Sequence, residues 1–265
     1  MDVKEFFFRG IYAEFRFAII STEQGVFSGS HVLMDGARAM HLTNPWVAPE
    51  GTLLKPGDKV LVASGDPVTI ARAEERLPGL IGKSSGVATS ARSMVETARG
   101  RIKVVCGAWK KVLPETKDGL RQAIGVGGAG IRITESPFVY VDKNFVRMAG
   151  GIGEAVDRAA ALPGRTVVVQ LKGDYGPISH EAIEAVEAGA KIIMVDTGII
   201  DHIRQVAGVV SNKRCKRDVK IGFGGSVTLD GLEAVITAGA DIVDVGRAII
   251  DAPILDFRLD VIKER

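Results

Sequence analysis

From about Gly100 onward the chain alternates short runs of consecutive apolar residues with stretches in which apolar positions recur every three or four residues. The runs Ile102 to Cys106, Phe138 to Val141, Thr166 to Leu171, Lys191 to Val195, Val219 to Phe223 and Asp241 to Val245 have the length of strands. Between them, Lys117 to Ile124, Ile152 to Ala161, His180 to Ala188, Asp201 to Val210 and Leu229 to Ala238 carry helical spacing. A strand that is apolar at every position must be covered on both faces. The pattern therefore predicts a parallel sheet with helices packed over it, as in an α/β barrel. The segments EAGAKIIMVD and TAGADIVDVG each end a helix and open a strand, and Gly189 and Gly239 suit helix C-termini.

Before Gly100 the pattern is different. Phe17 to Ser21 and Val60 to Ser64 read as strands, the second after a Pro56-Gly57-Asp58 turn. Glu23 to Gly29 predicts a turn and a short strand, and His31 to His41 a helix. Val68 to Glu75 and Ser84 to Ala98 are helix-compatible, the latter rich in alanine and bounded by Gly86 and Gly100. This divides the chain into an α+β domain with an entry helix over residues 1–100 and an α/β barrel over residues 101–265.

Composition narrows the function. At 265 residues and 46% hydrophobic, the chain can bury one large core and a smaller accessory one. The 34 basic and 32 acidic residues leave a formal charge of +2, too balanced for nucleic acid or an anionic membrane as main partner. Cys106 and Cys215 lie on different elements without metal-ligand spacing, which predicts passive thiols in a reducing compartment. MDVKEFFFRG resembles neither a signal peptide nor a membrane span, so the expected location is the cytoplasm.

Two apolar runs near the end close on glycine. One closes on Gly224, Gly225 and Ser226, the other on Gly246 and Arg247. In a parallel barrel the loops after the last strands present backbone N–H groups that can cradle a phosphate, and glycine leaves no Cβ in the way. The plain alternative is a pair of tight turns with a surface arginine. GVGGAG, Gly125 to Gly130, matches the dinucleotide-binding string but follows a helix instead of a strand, so it predicts a close backbone approach to a ligand or to another helix. Asp196 ends an apolar run, where a carboxylate can hold Mg²⁺ against a diphosphate. Asp174 lies in an irregular segment after Gln170 and Lys172. His31, His41, His180 and His202 form neither a triad nor a metal spacing.

These pieces, in this order, resemble the quinolinate phosphoribosyltransferase family, also called carboxylating nicotinate-nucleotide pyrophosphorylase. The similarity runs from IISTEQGVFSG, LKPGDKVLVASGDPVTIARAEER and SSGVATSARSMVETARG through EAIEAVEAGAKIIMVD, IGFGGSVTLDGL and AGADIVDVGRAI to the closing APILDFRLDV. The resemblance implies an incomplete, seven-stranded TIM-like barrel with a smaller N-terminal domain, a homodimer, and transfer of a phosphoribosyl group from phosphoribosyl diphosphate to a pyridine-type ring with Mg²⁺. Carried over residue by residue, it assigns Lys110 and Arg132 to the anionic substrates, Asp196 to catalysis and metal, and Asp174 to the metal. Gly224, Gly225, Ser226, Gly246 and Arg247 fall to the 5-phosphate, and Trp109, Lys143 and Arg76 to the substrates.

The match is uneven. The family's D-T-R-K falls on Gly107, Ala108, Trp109 and Lys110, so tryptophan replaces arginine and could stack on the ring. N-H-R falls on Gly130, Ile131 and Arg132, and K-D-N-H on Asp142, Lys143, Asn144 and Phe145, with the lysine one place late; Asp142, Lys143 and Asn144 are expected to end the strand FVYV. E-R-T meets Glu74, Glu75 and Arg76, again one place late, and E-V-E-V becomes Val168 to Leu171 with Gln170 at its second glutamate. The phosphate half is retained and the half that reads ring carboxylates is altered. Two other expectations stay open: a phosphate- or nucleotide-binding barrel with lyase or isomerase chemistry, and a non-catalytic paralogue.

Overall fold

The computed structural model describes residues 2–212 and 219–262. The chain forms two compact units, Met1–Arg92 with Val112–Gly128 and Ile249–Arg265, and Ser93–Lys111 with Ala129–Ala248.

The first unit opens with α1 (Val3–Phe7), β1 (Phe15–Ser21), β2 (Gly25–Val26), α2 (Ser30–Ala39), β3 (Thr43–Val47), β4 (Leu53–Leu54) and β5 (Lys59–Gly65). Strands β1, β5 and β3 form an antiparallel sheet whose other edge is the C-terminal strand Phe257–Val261, paired with β1 so that Phe17 faces Val261. Its core gathers Phe17, Ile19, Phe27, Leu33, Leu61, Leu77, Ile81 and Phe257. The two helices expected at 68–75 and 84–98 are one, α3 (Pro67–Ala98), which runs through Pro78. Leu77 and Ile81 are fully buried on either side of that proline. Burying two such side chains is worth ~3–6 kcal/mol, enough to offset the ~3 kcal/mol that an interior proline costs.

Further along, α4 (Lys117–Val126) ends in the GVGGAG segment. A Cβ on Gly127 would fall 2.5 Å from the Ala88 carbonyl oxygen and from the Ala91 Cβ of α3. Gly127 thus serves a close helix-to-helix approach.

The second unit is built on a six-stranded parallel sheet in the order β6, β11, β10, β9, β8, β7. Its strands are β6 (Lys103–Val105), β7 (Phe138–Val141), β8 (Thr166–Leu171), β9 (Ile192–Val195), β10 (Lys220–Gly224) and β11 (Ile242–Asp244), each within two residues of the run that predicted it. Between them lie α5 (Lys143–Ala149), α6 (Ile152–Ala160), α7 (Ile178–Glu187), α8 (Ile200–Ser211) and α9 (Leu232–Thr237). The described strands number six where the resemblance implied seven. At the free edge of β6 only an isolated parallel bridge forms, between Val105 and Gly130, and the following Ile131-Arg132-Ile133 is not a strand.

Alternation along these strands sorts the residues. Val105, Val168, Ile192, Met194 and Ile242 cluster with Ile133 on one face, with Phe138 and Tyr140 against them. Gly222 belongs to the same layer, where a Cβ would fall 1.9 Å from the Met194 sulfur. Because side chains on one face recur every second residue, the next positions toward the strand ends are Gln170, Lys172, Asp196, Gly224, Asp244 and Gly246. An apolar layer is therefore capped by a polar one.

Candidate active site

The polar layer is level across the sheet. Gly224 pairs with Asp244 and Asp244 with Val105, while Phe223 pairs with Val195, so the ends of β9, β10, β11 and β6 fall in register. Asp196 Oδ2 accepts hydrogen bonds from Gln170 Nε2 at 2.5 Å and from the Lys172 ammonium at 2.9 Å. Lys172 also donates to the backbone oxygen of Asp196. Asp244 Oδ1 accepts the backbone N–H of Gly107 at 2.9 Å. Between the carboxylates stands Gly224, where a Cβ would lie 3.1 Å from Asp196 Oδ1 and 3.9 Å from the Asp244 Cβ.

Burial pushes the Asp244 carboxyl above its ordinary range, and the charge of Asp196 adds to that. The Gly107 N–H, Lys110 and Lys111 pull the other way. Lys110 Nζ lies 5.9 Å from the Trp109 ring centre and 5.8 Å from that of Tyr140, within cation–π range of both. The Tyr140 hydroxyl is pushed up by burial and by the carboxylates of Asp196, Asp244 and Asp142. Trp109 is positioned by its indole N–H, which donates to the Ile131 carbonyl at 3.3 Å.

The glycine turns adjoin this cluster. Gly225 has φ +105, and a Cβ there would lie 2.6 Å from the nitrogen of Gly198. The Gly198 N–H donates to the Gly224 oxygen at 3.2 Å, locking the loops after β9 and β10 together. Ser226 is exposed and left-handed at φ 54. Gly246 follows β11 with its nearest prospective Cβ neighbour, the Ala108 Cβ, at 3.7 Å. Arg247 is exposed at the start of the short helix Arg247–Ile250.

The side chains of the remaining predicted residues stand apart from these contacts. The Arg132 guanidinium is 5.9 Å from the ring centre of Phe138, the first residue of β7. Lys143 is exposed and opens α5 instead of ending a strand, because Asp142 caps that helix by accepting the N–H groups of Asn144 and Phe145. The Lys143 backbone N–H donates to Gln170 Oε1 at 3.0 Å. Arg76 is exposed on α3, in the first unit.

Asp174 pairs with Arg147 at 2.8 Å. Its loop is fixed by Glu181, a buried carboxylate on α7 that accepts the N–H groups of Gly173 at 2.9 Å and Tyr175 at 2.8 Å. Among the described residues no three His, Cys, Asp or Glu side chains converge as a metal site. With Asp196 held by Lys172 and Asp174 by Arg147, the chain does not fit a cation bound by protein groups alone. Cys106 is buried, and burial pushes its thiol up to about 11, which leaves it protonated at neutral pH. Cys215 lies outside the described residues.

Sequence reasoning assigned no role to Asp244, Tyr140, Lys172 or Glu181. The signal for the first three was the two-residue period: Asp244 stands between Ile242 and Gly246, and Lys172 two places beyond Gln170.

The profile of the quinolinate phosphoribosyl transferase C-terminal domain matches residues 87–260. The chain belongs to that family. It is 30% identical over 217 residues to the carboxylating nicotinate-nucleotide pyrophosphorylase of Homo sapiens, covering 81% of this chain and 71% of that protein. It is 26% identical over 245 residues to the probable carboxylating nicotinate-nucleotide pyrophosphorylase of Methanothermobacter thermautotrophicus, covering 92% and 87%. The crystal structure of nicotinate-nucleotide pyrophosphorylase from Pyrococcus furiosus superposes with a TM-score of 0.83 at 22% identity, over 97% of this chain and 72% of that one, a likeness of fold. Among the described residues no helix is long and apolar enough to cross a membrane.

Proposed function

We propose that this protein is a phosphoribosyltransferase of pyridine nucleotide synthesis, transferring the phosphoribosyl group of phosphoribosyl diphosphate to a ring nitrogen. The observation that carries this is the convergence, at one level of one sheet, of Lys172, Asp196 and Lys110 with the glycine turns at Gly224–Gly225 and Gly246, in a chain of this family. The ring nitrogen's lone pair forms the bond to C1 of the ribose. The bond from C1 to the diphosphate oxygen breaks, and its electron pair leaves with the diphosphate.

No proton must move in that step, so positioning and electrostatics supply the acceleration. Gly224, Gly225, Ser226, Gly246 and Arg247 hold the 5-phosphate. Lys172 and Lys110 face the departing charge, and Trp109 and Tyr140 offer aromatic faces to the ring. Arg132, Lys143 and Arg76 belong to the proposal through family resemblance. Magnesium enters it as a companion of the diphosphate, since Mg²⁺ is commonly held by one or two carboxylates and substrate phosphates. Asp196 is the residue that would meet it, and Asp174 stands further back, paired with Arg147. A seven-stranded barrel and a homodimer complete the proposal on the same resemblance.

Ligand-induced stabilisation tests it. Phosphoribosyl diphosphate at a hundred times its dissociation constant stabilises the folded state by about 2.7 kcal/mol, a readily seen rise in Tm. No rise with phosphoribosyl diphosphate or with any pyridine mononucleotide would remove the basis of this reading.

A further inference from the structure

Asp244 occupies a place in the site where a second carboxylate is costly. It ends β11 on the same face as Ile242, its Oδ1 bound to the Gly107 N–H, and a Cβ on Gly107 would lie only 3.3 Å from its Oδ2. Its carboxylate therefore rests over the chain leaving β6, the segment that goes on to Trp109 and Lys110. Asp196 faces it across Gly224 from β9, but the two carboxylates are not equivalent. Asp196 pairs directly with the Lys172 ammonium and accepts the Gln170 amide. Asp244 receives one backbone N–H and the more distant charges of Lys110 and Lys111, and Lys110 lies over the rings of Trp109 and Tyr140. Tyr140, on β7, is close enough to feel Asp196, Asp244 and Asp142 together. The aromatic surfaces suited to a ring are thus flanked by an acceptor.

We infer that Asp244 determines the ring specificity of this site, selecting a nitrogen heterocycle that presents a hydrogen-bond donor, such as a carboxamide or an amino group, in place of a second carboxylate. An ionised carboxylate only accepts, so a donor on the ring completes it. A dicarboxylate brings like charge beside Asp244 in a half-buried setting. The inference rests on the proposed phosphoribosyl transfer for its substrate class, and the selectivity itself is read from ring binding without turnover.

The test is titration calorimetry of the full chain with pyridine-3-carboxamide and with pyridine-2,3-dicarboxylate, at saturating phosphoribosyl diphosphate and without it. The wild type is expected to bind the carboxamide at least tenfold more tightly, and D244N to shrink that ratio by tenfold or more. Dicarboxylate binding should strengthen in the wild type as pH falls toward the carboxylate range, as Asp244 gains its proton in the presence of Asp196, Lys110, Lys111 and Tyr140. That trend should be weaker in D244N. A second variant, D244S, should shrink the ratio in the same direction. Tighter binding of the dicarboxylate by the wild type, no binding of either ring, or an unchanged ratio in both variants would overturn the inference. Carboxamide-selective binding without diphosphate release would uphold it while sinking the transferase reading.

Discussion

The Lys172 ammonium lies 2.9 Å from Asp196 Oδ2 and also donates to the Asp196 backbone oxygen, so one lysine fixes both the side chain and the chain direction at the end of β9. Both side chains remain about a third exposed, at 31% each. The pair is a positioned charge at the mouth of the sheet, with little screened stability to offer. On the proposed function its value lies in catalysis. Lys172→Ala is expected to lower kcat/KM for phosphoribosyl diphosphate by about a hundredfold, as removal of a preorganised electrostatic group does, while Tm changes little. Steady-state diphosphate release and thermal denaturation of the same sample check both halves.

Gly225 and Gly246 separate fold from function. A side chain at Gly225 would meet the Gly198 nitrogen at 2.6 Å from a left-handed backbone, so Gly225→Ala should cost ~2–4 kcal/mol in urea denaturation. At Gly246 the nearest atom to an added Cβ is 3.7 Å away, an ordinary contact. Gly246→Ala should keep its stability within about 0.5 kcal/mol. It should nevertheless raise KM for phosphoribosyl diphosphate tenfold or more, because on the proposed function the Cβ stands where backbone meets phosphate. A normal KM in Gly246→Ala would place the phosphate elsewhere.

Glu181 carries the loop that follows β8. Its carboxylate is buried and satisfied by two backbone N–H groups. Glu181→Ala removes the charged acceptor of both N–H groups, hydrogen bonds worth ~1.5–3 kcal/mol each. Chemical denaturation should show a loss of ~2–4 kcal/mol, and proteolysis should become faster at residues 172–176. Glu181→Gln, which keeps an acceptor for one N–H, should recover part of it.

Much of the fold was legible because parallel strands buried on both faces are written as unbroken apolar runs. All six appear within two residues of expectation. What escaped depends on contacts distant in sequence. The C-terminal strand Phe257–Val261 exists because β1 offers it an edge, and nothing local announces it. The helices expected at 68–75 and 84–98 join because the burial of Leu77 and Ile81 outweighs the cost of Pro78 inside the helix. In the site, glycines were legible as turns and Asp196 as the polar end of a run. Asp244 was not, since a carboxylate inside DIVDV reads as part of a strand until alternation assigns it a face. Lys143 illustrates the reverse: Asp142 caps a helix there, so a residue expected at a strand end opens α5.

Asp244 also gives the protein a pH signature. Burial raises its carboxyl, so the folded state holds this proton more tightly than the unfolded chain. Stability from this group is therefore full below its unfolded pKa and falls as pH rises through the folded value. Asp244→Asn should raise Tm at neutral pH relative to the wild type, and the difference should close on acidification through the carboxylate range. Denaturation midpoints of the two proteins across that range give the answer, and a difference that widens in acid would reverse the sign.

Phosphoribosyl transfer is measured most directly as diphosphate release from phosphoribosyl diphosphate on adding a pyridine ring, followed together with the mononucleotide formed. Equal amounts of diphosphate and N-ribosylated product are expected, with both lost in Asp196→Ala. Diphosphate release without a ring-linked nucleotide, or no release with any pyridine ring from a protein that binds phosphoribosyl diphosphate, would contradict phosphoribosyl transfer as the chemistry of this site.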